Sequence, residues 1–214
     1  MPQNILKAGG ASDSLACTGG DDGTLLIQTG PSGAKVNALA LDASGNGALL
    51  GALTQAGIAT PRMQLMAVQN TTSGTFKDFT SIPSWVKRIT VVLKGVSTNG
   101  ASPFCIQLGD SGGIETSGYY GGASNQAPTY VANTVGLNTT PANNAASPVS
   151  GLATLVLVSG TTWVMQAGTQ MEIGNLSTGA GFKTLSTTLD RLRLTTVGGT
   201  DTFDLGSINL LLEG

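Results

Sequence analysis

Gly109-Asp110-Ser111-Gly112-Gly113 is the stretch that comes nearest to a reactive site, because it spells the setting of a serine nucleophile. A hydroxyl attacks only after a neighbouring base takes its proton, and with this motif the base is histidine. The sequence contains no histidine. Lysine can replace it in other serine enzymes, but not in this setting. The stretch therefore reads as a tight turn after a strand, with glycines free to take positive φ. Asp110 and Glu115 flank that turn and are the best candidates for a glycosidase pair. Such a pair needs its carboxyls about 5–9.5 Å apart across a cleft. Acidic residues beside a turn are ordinarily just solvated.

Without histidine, a metal site would need clustered thiolates and carboxylates, and neither Cys17 nor Cys105 has a ligand beside it. Asp42, Ser44, Asn46 and Gly47 echo a calcium loop, but Leu53 stands where the bidentate carboxylate belongs. Gly30-Pro31-Ser32-Gly33-Ala34-Lys35 holds collagen-like triplets too few for a triple helix, and it lacks phosphate-loop spacing. Both read as turns. No catalytic residue, cofactor or metal is expected.

The elements around these turns are strands. The chain has 214 residues, of which 31 are glycine, only 10% are charged and 40% are apolar. Glycine costs about 1 kcal/mol against alanine inside a helix, so long helices are disfavoured, while the apolar share suffices for a core. Short strands joined by turns are what remain, an all-β chain. The net charge of −2 offers no surface for nucleic acid. No charged residue lies between Glu115 and Glu172, a neutral polar stretch suited to a subunit contact or an uncharged glycan, or to a plain solvated loop. The longest apolar run, Leu155 to Val158, is far shorter than the ~18 residues of a membrane span, so no membrane insertion is expected. Met1 to Gly10 has no apolar core of a secretion signal. Synthesis in a cytoplasm, with both cysteines as buried thiols, follows as the expectation.

Two regions are predicted. Residues 1–60 read as short β units: Thr24 to Thr29, Lys35 to Leu41, and Ala48 to Leu53. Each is too short to bury a face alone. Pro61 marks a boundary, and residues 61–214 read as a β-sandwich of roughly eight strands, jelly-roll-like because its connections are long. The clearest strand is Trp85 to Gly95, with Trp85, Ile89, Val91 and Leu93 on one face. Phe104, Ile106 and Leu108 alternate in the next strand. Glu115 to Ser150 reads as one long neutral loop. Strands resume at Leu152 to Val158 and Thr162 to Gln166. Thr188 to Val197 and Thr202 to Leu212 are expected to pair as a hairpin around Gly198-Gly199. The expected core adds Leu155, Leu157, Trp163, Leu192, Leu194, Ile208 and Leu210.

The segment from Asp22-Gly23-Thr24-Leu25-Leu26-Ile27 to Val36-Asn37-Ala38-Leu39-Ala40-Leu41-Asp42-Ala43-Ser44-Gly45-Asn46-Gly47 resembles the strand, alternating strand and D-x-S-G-N unit of bacteriophage tail fibres. Ile82-Pro83-Ser84-Trp85-Val86-Lys87-Arg88-Ile89, Ile106-Gln107-Leu108-Gly109-Asp110 and Leu189-Asp190-Arg191-Leu192-Arg193-Leu194-Thr195-Thr196 resemble the distal domain of the same proteins. Together the similarity covers most of residues 20–214. The resemblance implies a virion structural protein without enzymatic activity: a homotrimer with a short β stem that attaches to other virion proteins and a head that meets a host surface glycan or protein. The chain is short for a full tail fibre, so a capsid head fibre or decoration protein is the alternative. A glycan-degrading fibre enzyme is the second.

Two sets of residues would carry that role. Leu25, Ile27, Leu39, Leu41, Leu49, Leu50 and Leu53 are too many apolar residues for a lone stem, and three wrapped copies would cover them. Tyr119, Tyr120 and Tyr130, with Asn125, Gln126 and Asn133, would supply the flat aromatic faces and amides that bind neutral glycans. The same tyrosines would equally serve a subunit interface.

Overall fold

The computed structural model describes strand backbones at 5–6, 15–19, 25–29, 36–41, 47–49, 54–55 and 58–59, together with residues 62–125, 130–145, 147–171 and 174–214. Every regular element among them is a β-strand. The chain divides into two compact units, Met1–Thr60 and Pro61–Gly214.

The first unit holds β1 (Ile5–Leu6), β2 (Leu15–Gly19), β3 (Leu25–Thr29), β4 (Val36–Leu41) and β5 (Gly47–Leu49), hydrogen-bonded in that order as an antiparallel meander. A short pair, β6 (Thr54–Gln55) and β7 (Ile58–Ala59), follows. Short strands gain stability by pairing, and here each neighbour comes from the same chain. The register aligns Leu49, Leu39, Ile27 and Cys17 in one cross-strand row and Leu41 with Leu25 in another. Leu50 and Leu53 lie outside the described residues.

The second unit continues with β8 (Met63–Leu65), β9 (Gln69–Asn70), β10 (Phe76–Phe79), β11 (Arg88–Thr98), β12 (Phe104–Asp110), β13 (Gly113–Ile114), β14 (Tyr119–Asn125), β15 (Tyr130–Asn133), β16 (Leu137–Asn138), β17 (Val149–Ser159), β18 (Thr162–Met171), β19 (Leu176–Thr184), β20 (Arg191–Thr196) and β21 (Phe203–Glu213). They form two antiparallel sheets. The larger is a 9-stranded sheet in the order β15-β14-β19-β18-β17-β11-β21-β8, with β9 also on β21. The smaller is a 5-stranded sheet in the order β10-β20-β12-β13, with β16 also on β12.

Alternation explains why the sheets stack. Ile89, Val91, Leu155, Trp163, Met165 and Leu210 of the larger sheet share one buried cluster with Phe104, Ile106, Leu108, Leu192 and Leu194 of the smaller. This is a β-sandwich core. All the expected core residues are buried except Trp85 and Leu157, which are half-buried at its margin. The outer layer is tied by Arg193, whose guanidinium forks onto both oxygens of Asp78 at 2.7 Å across the β10–β20 pair.

Three expectations need correction. The long loop from Glu115 to Ser150 carries β14, β15 and β16. Its strands were hidden because β14 sets Gly121 and Ala123 beside a single inward ring, Tyr119, while β15 and β16 are too short to show a pattern. The glycines of the neighbouring β19 make room for this segment. A Cβ on Gly181 would come within 3.0 Å of Leu137, and one on Gly179 would strike the Asn138 carbonyl, so only a bare sheet lets β16 pack down on it. Second, the strand expected to end at Gly95 runs on: β11 continues to Thr98 past a register shift between Lys94 and Ser97.

The third correction is the C-terminal hairpin. β20 pairs with β12 in the smaller sheet and β21 with β11 in the larger, so Val197 to Thr202 arches between sheets. The β11–β12 connection makes the same crossing alongside. The two arches satisfy each other's backbone groups: Asn99 N–H donates to the Thr202 carbonyl, Val197 N–H to the Pro103 carbonyl, and Ser102 N–H to the Asp201 carboxylate.

Candidate aromatic cleft

The outer face of the larger sheet is where surface chemistry collects. Along β14, β19, β18 and β17 the register places Tyr120, Phe182, Val164 and Val156 side by side. All are exposed, Tyr120 by 71% and Phe182 by 43%. The next outward row holds Ala132, Gly122, Ala180 and Gln166. The one after that holds Tyr130, Ser124 and Thr178. Between the first and third rows the sheet is floored by Gly122 and Ala180, and small residues flanked by aromatic ones leave a depression. It comprises two overlapping hollows of about 400 Å³ and 440 Å³. That is within the range of small-ligand sites.

Its walls are fixed by contacts within the chain. Tyr120 and Phe182 rest against each other with ring centroids 5.4 Å apart and planes tilted by 31°. Tyr130, 65% exposed, leans over Gly122, where an added Cβ would lie 2.6 Å from its ring. The glycine is required so that the tyrosine can lie against the backbone. Ser124, Gln166 and Thr178 supply hydroxyl and amide groups at the rim. No ionisable carboxylate or amine is among the residues that line it.

The expected contact residues thus divide. Tyr120 and Tyr130 come together on this cleft. Asn125 ends β14, half-buried, opposite Ser177, and Gln126 lies outside the described residues. Tyr119 and Asn133 are not surface residues, which corrects the expectation for both. Strand parity sends Tyr119 inward, where it is 3% exposed. Its hydroxyl accepts from Leu108 N–H at 2.7 Å, and the carbonyls of Leu108 and Glu115 lie within its reach as acceptors. Burial pushes its ionisation well above the ordinary tyrosine range. Asn133 is buried too, donating to the Asn138 side chain and accepting from Val135 N–H at 3.0 Å. Phe182 was missed because Gly179-Ala180-Gly181-Phe182 has no apolar alternation. Only the register reveals that it backs Tyr120.

Asp110 and Glu115 are both engaged by groups of the same chain. Ser111 and Gly112 form the turn between β12 and β13, and Asp110 folds back to accept from Gly112 N–H at 2.8 Å. Its other oxygen accepts from the Thr187 N–H and hydroxyl. Glu115 accepts from Ser186 and pairs with Lys183 at 2.6 Å, while Lys183 donates to the Ser117 carbonyl. The Gly112 amide, then Thr187, hold the Asp110 carboxyl below its usual range. Burial pushes Glu115 up, but the Lys183 ammonium and the Ser186 hydrogen bonds outweigh it and leave the carboxyl low. A glycosidase needs one carboxyl with a raised pKa to protonate the leaving group. These two are driven the other way and are spent on fastening the 110–118 segment to residues 183–187.

No group of three or more metal-ligating side chains occurs among the described residues. Cys105 is fully buried, and burial pushes its thiol up to about 12. Neither family models, nor curated proteins, nor solved structures gave a match to this chain.

Proposed function

We propose that the chain is a non-enzymatic structural subunit of a bacteriophage virion, a fibre or spike whose C-terminal head touches the host surface through the cleft between Tyr120, Phe182 and Tyr130. The observation that carries this reading is an open cleft with preset aromatic walls on an outward sheet face. Apolar groups exposed in one contiguous patch mark an interaction site more often than chance. The tail-fibre resemblance of the sequence supports the same assignment. So does the low ionisation of Asp110 and Glu115, which leaves the best enzymatic candidates without an acid.

The repeated crossings between sheets fit a jelly-roll-like head. The working unit is a homotrimer, supported by the cross-strand rows of Leu25 with Leu41 and of Ile27, Leu39 and Leu49 in the first unit. Light scattering behind a sizing column should give three times the chain mass; a monodisperse monomer contradicts it. Immunogold labelling of intact virions tests the location. Label at the distal end of the tail agrees with the proposal. Label spread over the capsid replaces it with a decoration role, and unlabelled virions overturn both.

A further inference from the structure

Resting on the reading of the cleft as a host contact, we infer that its ligand is a short neutral oligosaccharide, one pyranose ring lying on the free face of Tyr130 and the next against the Tyr120–Phe182 pair. Both platforms are set before any ligand arrives. Tyr130 is seated on Gly122 and still 65% exposed, and Tyr120 is braced by Phe182 at 5.4 Å. Aromatic rings already held in place lose little rotamer freedom on binding, so their apolar faces count nearly in full. The rows that carry them lie four residues apart along β14, from Tyr120 to Ser124 opposite Tyr130, about 13 Å at ~3.3 Å per residue, and the lean of Tyr130 over Gly122 shortens that gap. That interval favours a ligand with more than one ring.

Charge decides the class of sugar. The lining contains no carboxylate, amine or guanidinium. The cation on the adjacent β19, Lys183, points to the opposite face and is committed to Glu115 and to the Ser117 carbonyl. An acidic sugar would lose hydration here and meet no counter-charge. Hydroxyls fare better, because Gln166 and Thr178 bring donors and acceptors to the rim and Ser124, whose hydroxyl donates to the Asn125 carbonyl, adds an acceptor. The floor must stay small: a larger side chain at Ala180 would occupy the space between the platforms.

The test uses the full-length chain with maltotriose, cellotriose, mannotriose and chitotriose, and with trigalacturonate and sialyllactose as charged counterparts. Saturation-transfer NMR and titration are run at about 0.05 M and about 0.5 M salt, which separates screened from unscreened attraction. At least one neutral probe should bind, with affinity unchanged by salt and lowered about tenfold or more by Ala180→Leu and by Tyr130→Ala. Preference for a charged probe, salt-sensitive affinity, wild-type binding by Ala180→Leu, or silence from every neutral probe overturns the inference. Host-cell adsorption of the same variants distinguishes the failures. Adsorption lost in Ala180→Leu, with no sugar bound by the wild type, removes the ligand but keeps the contact role. Adsorption unaffected while sugar binding is lost removes the contact role. A variant that changes the mass of the assembly gives the cleft to a second copy of the chain, and overturns both.

Discussion

Replacing Tyr119 with phenylalanine separates a structural tyrosine from its exposed neighbour. The ring would stay in the core, since Tyr119 is 3% exposed, and only the hydroxyl would go. That hydroxyl receives the Leu108 N–H at 2.7 Å and sits 2.8 Å from the Glu115 carbonyl. The Leu108 carbonyl keeps a second donor in Glu115 N–H at 3.0 Å. The N–H of Leu108 has no such substitute, because β13 ends at Ile114 and Leu108 is completely buried. Removing the hydroxyl strands this buried donor, which costs about 1–3 kcal/mol. For a unit of this size each kcal/mol moves the melting temperature by about 2–4 °C. Thermal and urea unfolding of Tyr119→Phe should therefore show a fall of at least ~2 °C with an unchanged urea slope. Tyr120→Phe, altered at an exposed ring, should stay within about 0.5 kcal/mol of wild type. A Tyr119→Phe protein as stable as wild type would refute the strut and reopen the surface role.

Other consequences can be checked with the same protein. Leu194→Ala, at a completely buried position between the sheets, should cost about 2–5 kcal/mol in urea unfolding. Asp110 and Glu115 have folded ionisations below their ordinary values of about 3.9 and 4.3, so their stabilisation is complete above those values and vanishes as pH falls through the lower folded ones. Unfolding midpoints should drop below about pH 4, and Asp110→Asn with Glu115→Gln should flatten that drop; an unaltered profile would count against the two fastenings. In a Cys17→Ser background, Cys105 should resist thiol reagents near neutral pH until the chain unfolds, because it is buried and its thiol ionises only at about 12. Rapid labelling of the native protein would contradict that.

What the sequence made legible follows from which faces are wet. β11 shows its parity because Ile89, Val91 and Leu93 face the core while Arg88, Val92 and Lys94 face outward with two charges among them. β12 is different: all of Phe104 to Asp110 is buried, since the 135–140 segment covers its second face and Gln107 donates to the Val135 carbonyl. The alternation of Phe104, Ile106 and Leu108 marked the strand, but not that its second face is covered as well. The arches defeated the hairpin reading for a related reason. Gly198-Gly199 is a sound turn signal, but which sheet receives the next strand depends on contacts with Asn99 to Pro103, some hundred residues away in sequence. Of the candidate site, Tyr120 and Tyr130 were visible as sparse rings of a neutral stretch, while Phe182, beyond that stretch, was not. The division of the tyrosines into strut and platform was hidden too, because Tyr119 and Tyr120 are adjacent and a strand sends neighbours to opposite faces.

Adsorption of the purified full-length chain to host cells, compared between wild type and Tyr130→Ala by flow cytometry, tests the central claim most directly. Tyr130 is 65% exposed and donates nothing to the core, so the variant should keep its fold and its assembly mass. The account predicts binding reduced by about tenfold or more, as for loss of an aromatic anchor at a contact. Undiminished binding by a correctly assembled Tyr130→Ala chain would contradict it.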